Sequence, residues 1–422
     1  MDNSKDRLQK AVDEIMDEAV ETLQKLVQIP SITGDEEAAQ LYMAELLKDI
    51  GLETDFWYPQ VEELKGHPAF PMVNSENLGT RPNLVGMLRG TGEGKSLILN
   101  GHIDVVNPGE EAAWKHKSPW SGIIENDRLY GRGACDMKAG LLSGVFAMKA
   151  LIRSGLSVKG DVYLQSVISE EDGGCGTLAC LVRGYKADGA VIMEPTQLYL
   201  IPAHMGATSF RLTVAGRATH GCVRYEGISA IEKFSYLHDG IIRWERERER
   251  GMSSPLFQDY PIKMPISIGT LCAGNWDSTV PEKLIAEGRF GFPLEMTLLE
   301  ARNSFEDKIK ELSKKDPWLK ENPPVVEWFQ EAWEPASIET DHPLVTTLFQ
   351  SYIETMGREP KLAGAPYGSD MRLLTRYGQI PALHFGPGDV RKAHFTDEFV
   401  PLQEYRDAIA ILAHLIHSWC NE

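Results

Sequence analysis

The sequence is short of several things that would have directed its reading elsewhere. Basic residues are outnumbered: 43 Lys and Arg stand against 61 Asp and Glu, a formal charge of −18. Nucleic acids and anionic membrane surfaces call for basic patches, so neither is an expected partner. Long apolar runs are missing. The longest, such as Gly140 to Ala147, are short and glycine-rich, far below the roughly 20 residues that span a bilayer. The opening MDNSKDRLQKAVDEIMDE has no apolar stretch of the kind a secretory signal carries. Cysteine is sparse and scattered: Cys135, Cys175, Cys180, Cys222, Cys272 and Cys420 show no pairing pattern and no Cys-x-x-Cys spacing. That argues against a disulfide framework and a structural zinc ribbon, and points to a reducing cytoplasm.

What remains is ordinary for a globular protein. The hydrophobic fraction is 42% and the charged fraction 25%. A chain of 422 residues exceeds what one hydrophobic core usually serves, so two domains are expected. Leu8, Val12, Ile15, Ala19, Leu23 and Leu26 recur at helical spacing and predict one amphipathic helix from Asp2 to Gln28, stopped before Pro30. A second helix is expected over Glu36 to Ile50. Short apolar runs at Asn83–Leu88, Ser96–Leu99, Asp161–Ile168 and Asp188–Met193 alternate with helical stretches at Met137–Ser154 and Gly176–Gly184. Strands alternating with helices predict an α/β domain with a largely parallel sheet sandwiched by helices.

The rhythm changes after His204. Thr208–Ala215 and Leu284–Phe292 alternate by twos, with helical patterns at Ser229–Glu249 and Leu298–Lys314. This predicts an inserted α+β domain with an antiparallel sheet covered on one face. The α/β pattern then resumes with a helix at Asp341–Gly357, a strand at Ala382–Gly386 and a closing helix at Leu402–Cys420. The expected division is 1–204 and 331–422 for the first domain and 205–330 for the insertion. The run RWERERER (Arg243 to Arg250) reads as a solvated helix face. GTGEGKS (Gly90 to Ser96) reads as a turn, because Arg89 stands where a phosphate loop needs glycine.

Acid and histidine side chains gather where strands end, which is where open α/β sheets bind ligands. His102 and Asp104 are two apart in an extended segment and so share a face. Asp136 lies in a glycine-rich loop, RGACDMKAG, that opens onto a helix; a helix cap is the plain alternative. Glu170, Glu171 and Asp172 follow the strand DVYLQSVI, where solvation alone could explain them. Glu194 ends another strand, and His394 lies far along in KAHFTDE. Each signal is weak alone. Together, two histidines and several carboxylates make an N,O ligand set suited to zinc, cobalt or manganese.

In this combination the chain resembles the acetylornithine deacetylase / succinyl-diaminopimelate desuccinylase family of dinuclear zinc deacylases, which includes carboxypeptidase G and aminoacylase-1. The resemblance rests on GHIDVV, YGRGACDMKAG, SEEDGG, GAVIMEPT, GRATHGCVRYEGISA and GPGDVRKAHFTDE, in the family's order across nearly the whole chain. It implies a hydrolase of the amide bond in a small N-acyl amine or amino acid. It implies two zinc ions, with Co2+ or Mn2+ as substitutes: one held by His102 and Glu194, the other by Glu171 and His394, with Asp136 bridging. It implies that Asp104 orients His102 and that Glu170 is the general base and acid. His220 would stabilise the oxyanion in a neighbouring subunit's site, and the insertion would be a lid and dimerisation domain of a homodimer.

Two departures bear on the substrate. The family's carboxylate-recognising asparagine is Ser278 here, in Asp277-Ser278-Thr279-Val280-Pro281. Its arginine position falls on Phe290 or Gly291, with Arg289 out of register, and a one-residue shift on a strand turns a side chain to the other face. This pattern resembles the branch that includes bacterial N-formyl-aminopyrimidine deformylase, an enzyme of thiamine salvage. Ser369 and Arg372, in GSDMR, are the candidate substrate contacts, with a structural ion pair as the alternative for Arg372. A zinc-binding regulatory protein with a dead site is the reading from another class; the presence of both Glu170 and Asp104 argues against it. A peptidase is the third, and no pocket for a free amine is apparent in the sequence.

Overall fold

The structure, a computed structural model, describes residues 4–71 and 75–422. The chain divides into two compact units, one of residues up to Pro202 with Ser337–Ala363 and Ser369–Glu422, the other of Ala203–Ala336 with Gly364–Gly368.

In the first unit the strands Glu53–Trp57, Asn83–Leu88, Val162–Val167, Leu97–His102, Gly189–Ile192 and Ala382–His384 lie side by side in that order. The last four are mutually parallel, while the first two pair antiparallel at the edge. Leu97–His102, at the centre, is buried along its whole length, as a strand covered on both faces must be. Successive side chains leave a strand on opposite sides. Leu164 faces helix Ala139–Ser154, whose Gly144 lies against it. Val167 turns the other way and clusters with Val85 and Cys180 of helix Cys175–Arg183. Helices Ser4–Gln28 and Leu402–Trp419 pack outside Ala139–Ser154. The N-terminal helix turns Leu8, Ala11, Val12, Ile15, Ala19, Leu23 and Leu26 inward as one stripe. Its expected first residues, Asp2 and Asn3, lie outside the described residues.

The expected helix from Met137 begins instead at Ala139. Asp136 (φ −121°, ψ 98°) and Met137 (φ −132°, ψ 35°) leave helical geometry. The helix then passes very close to the end of strand Gly189–Ile192. A β-carbon on Gly140 would fall 1.8 Å from the carbonyl oxygen of Met193. Only glycine allows this approach, which brings the loop of Asp136 beside Glu194.

The second unit holds a four-stranded antiparallel sheet in the order Ile266–Ala273, Lys283–Phe292, Gly206–Ala215, Val325–Trp333. One face carries Phe210, Leu212, Val214, Leu284, Ala286, Phe290 and Phe292 into a core shared with Leu237, Ile241, Phe305 and Ile309 of helices Ala230–Arg250 and Leu298–Ser313. Thr297 and Glu300 close the start of the latter reciprocally. The Thr297 hydroxyl accepts from the Glu300 amide (3.2 Å), and the Glu300 carboxylate from the Thr297 amide (2.9 Å). The sequence pattern missed Ile266–Ala273, whose residues are mostly exposed, and Val325–Trp333. It also misjudged RWERERER as wholly solvated. Glu245 is buried and accepts from the Ile266 amide (2.6 Å), and Glu249 accepts from the amides of Lys263 and Met264. Arg248 donates to the Gly291 carbonyl and lies over the rings of Trp244 and Phe290.

Replacing Gly140 with Ala forces the helix off the Met193 carbonyl, and overpacking of this kind costs about 1–3 kcal/mol. Chemical denaturation of Gly140→Ala should show that loss; an unchanged midpoint would contradict the close approach.

Candidate functional site

The first unit brings most of the singled-out residues together. Strand Leu97–His102 delivers His102 to its carboxyl end, nearly inaccessible to solvent. Its Nδ1 lies 2.8 Å from the backbone oxygen of Asp104, while the nearer oxygen of the Asp104 carboxylate is 3.6 Å away. The ring is therefore oriented chiefly by the Asp104 carbonyl. An Nδ1–H given to that carbonyl leaves the Nε2 lone pair free for a metal. The Asp104 carboxylate has other partners. It accepts from the backbone amides of Glu170 and Glu171, each at 3.2 Å, and from the Thr33 hydroxyl at 3.2 Å.

Asp136 lies between the two histidines. Its Oδ1 is 3.1 Å from His102 Nε2, and its Oδ2 is 3.5 Å from His394 Nε2. His394 Nε2 is also 3.0 Å from Glu171 Oε1. Donor atoms of His102, Asp136 and Glu171 converge within 4.8 Å of one another, and so do those of His102, Glu170 and Glu194. This geometry sets Glu170 among potential ligands as well as Glu171; the distinction between the two rests on the sequence resemblance.

Burial pushes the carboxyls of Glu170, Glu171 and Glu194 above the usual carboxylate range, and neighbouring carboxylates push in the same direction. Burial acts alike on Asp136, but hydrogen bonds from both imidazoles hold it well below that range. Burial opposes charge on His394, yet Asp136 and Glu171 raise it to about 11. The cluster thus crowds together more carboxyls than its two imidazoles can pair in the charged form. Two imidazoles and four carboxylates are a donor set that divalent cations satisfy.

The loop Ser169–Gly174, which carries Glu170 and Glu171, is held from behind by buried arginines, a role that nothing in the sequence signals. Arg81 grips Glu36 with two nitrogens and donates to Asp172 (3.2 Å), whose other oxygen accepts from the Ser169 hydroxyl. Arg372 donates to the Gly173 carbonyl at 2.9 Å. This makes Arg372 a support of the loop. Ser369 is buried as well, 2.6 Å from His384 Nε2. The only sequence signal for Arg81 was its place just before a strand.

His220 belongs to the second unit. It is exposed, and its Nδ1 accepts from the Cys222 amide at 3.2 Å. Ser278 and Arg289 lie in the same unit. Arg289 follows the face of its strand opposite Phe290 and Phe292 and donates to the Pro366 carbonyl at 3.2 Å.

Residues 98–418 match the peptidase family M20/M25/M40. N-formyl-4-amino-5-aminomethyl-2-methylpyrimidine deformylase of Bacillus subtilis (strain 168) is 29% identical over 100% of this chain and 99% of its own length. The protein of that name from Halalkalibacterium halodurans is 29% identical over 97% of this chain and 96% of its own. Among solved structures, the dipeptidase Dug1p of Saccharomyces cerevisiae aligns with a TM-score of 0.77 at 15% identity over 100% of both chains. Human carnosine dipeptidase 1 gives 0.74 at 16%, again over the full length of both. At such identities the structures speak to the fold alone, whereas the family match covers most of the chain and all the ligand candidates. The chain belongs to peptidase family M20/M25/M40 and is a metal-dependent hydrolase of amide bonds.

Proposed function

We propose that this protein is a dinuclear zinc deacylase that removes a formyl group from a small amine, its substrate an N-formyl-aminomethylpyrimidine like the one named for its relatives. The observation that carries the two-metal reading is the Asp136 carboxylate, with one oxygen toward His102 and the other toward His394. A carboxylate so shared suits a bridge between two cations. His102 and Glu194 would hold one, and Glu171 and His394 the other; Co2+ or Mn2+ would fit the same donors. The substrate is supported by the two relatives, alike over nearly their full length, and by the absence of the asparagine and in-register arginine that recognise an α-carboxylate in amino-acid deacylases. The enzyme is proposed to work in the cytoplasm, in keeping with its six free cysteines, and, on the strength of the resemblance, as a homodimer.

When bound, the cations supply Lewis acidity, lowering the pKa of water and polarising the formyl oxygen. Glu170 does the proton work. Burial raises its carboxyl well above the ordinary range; His102 opposes this, and Glu194, Asp370 and Glu171 add to it. It takes the proton of the attacking water and returns it to the departing nitrogen as the C–N bond breaks, giving formate and the amine. Asp104 holds the backbone of Glu170 and Glu171 and so fixes that carboxyl's position. His220 stabilises the oxyanion in a partner subunit's site, a role resting on the resemblance alone.

Glu170→Gln should retain two zinc ions by elemental analysis and lose about 10²–10⁴-fold in kcat. Full activity, or loss of both ions, would contradict its role. A panel of N-formyl, N-acetyl and N-succinyl amines, with and without an α-carboxylate, should show turnover concentrated on the formylated aminopyrimidine; preference for N-acyl amino acids would overturn the substrate. Mixing Glu170→Gln with His220→Ala subunits should recover part of the activity that each lacks alone, and no recovery after subunit exchange would rule out a histidine acting in trans.

A further inference from the structure

The segment Ala134–Lys138 leaves helical geometry at Asp136 and Met137, so the amides of Cys135 and Asp136 must find acceptors outside a helix ladder. Both find the same atom. Glu398 Oε1 accepts from Cys135 N at 2.9 Å and from Asp136 N at 3.1 Å. The other oxygen, Oε2, takes a hydrogen bond from Arg132 Nη1, and the Arg132 guanidinium lies 5.4 Å from the centre of the Trp114 ring. Glu398 is completely buried and Arg132 nearly so. The backbone of Glu398 is tied down too. Its carbonyl accepts from Gly131 N (3.0 Å), and the next residue, Phe399, begins a short strand paired with Arg128–Tyr130. Four residues upstream on the same segment stands His394.

We propose that Glu398 is a positioning residue for metal retention: its carboxylate clamps the backbone of Asp136, and so joins the segment that carries His394 to the carboxylate between the two histidines. The inference rests on the two-metal reading above. Arg132 balances the buried charge, while the acceptor oxygen does the positioning. A ligand whose backbone drifts loses the geometry its side chain needs, and loss of such supporting contacts typically weakens metal binding 10–100-fold.

The test compares two neutral pairs, neither of which leaves a lone buried charge. Glu398→Gln with Arg132→Met keeps an oxygen for the two amides. Glu398→Leu with Arg132→Met removes it. Metal-stripped proteins are titrated with zinc against a chromophoric chelator, with the melting temperature of each metal-free form measured alongside. The Gln/Met pair should bind zinc within about threefold of wild type, and the Leu/Met pair about 10–100-fold more weakly. Equal affinities in the two pairs, whether tight or weak, would overturn the proposal. Should the Leu/Met pair fail to fold, Glu398→Asp, which keeps the charge but withdraws the carboxylate by one methylene, should bind zinc at least about tenfold more weakly; wild-type affinity there would equally overturn it. Wild-type protein that takes up no zinc would count against the two-metal reading, which separates that failure from failure of the role given to Glu398.

Discussion

The structure is organised around a crowd of buried carboxyls. Asp136, Glu170, Glu171 and Glu194 meet at strand ends with, among the described residues, the two imidazoles of His102 and His394 between them. Unbalanced charge in such surroundings is costly, and the group protonates or finds a partner. Much of the first unit can be understood as support for this arrangement. The parallel strands bring His102 and Glu194 to one end of the sheet, and Gly140 lets the helix after Asp136 come against Met193. Buried arginines sit one layer back, where they hold loops without entering the cluster of ligand candidates.

The α/β class was legible because the central strands are short, apolar and separated by helical periodicity. It was legible even though their full extent was not: Leu97–His102 runs past the polar Asn100 and His102, which an apolar-run reading ends at Leu99. The strand Ile266–Ala273 was hidden for another reason: Ile266 and Ile268 alternate with Ser267 and Gly269, but a bulge between Ile268 and Thr270 then shifts the register and the pattern breaks. The charged run in helix Ala230–Arg250 misled because charge was equated with solvation. Glu245 and Glu249 instead satisfy backbone amides.

The ligand candidates were legible as residue types at strand ends, and the resemblance arranged them into a set. What the sequence could not show was how each is held. Asp104 looked like a clamp on the His102 ring; in the fold its carbonyl does more of that work, and its carboxylate reaches the amides of Glu170 and Glu171. Such contacts are made to backbone atoms, which carry no signature in a sequence. Distance hides others: the side-chain partner of Arg81, Asp172, lies 91 residues away, and Asp136, from whose amide Glu398 accepts, lies 262 away.

The engagement of Arg372 with the Gly173 carbonyl limits how this scaffold can be redesigned. To an engineer seeking to convert it to an amino-acid-selective catalyst, that guanidinium is the obvious first anchor for a carboxylate. Recruiting it would release the segment bearing Glu170, the proposed acid–base residue, so gained affinity would come with lost turnover if that role holds. A new cationic side chain introduced elsewhere, leaving Arg372 in place, is the sounder starting point.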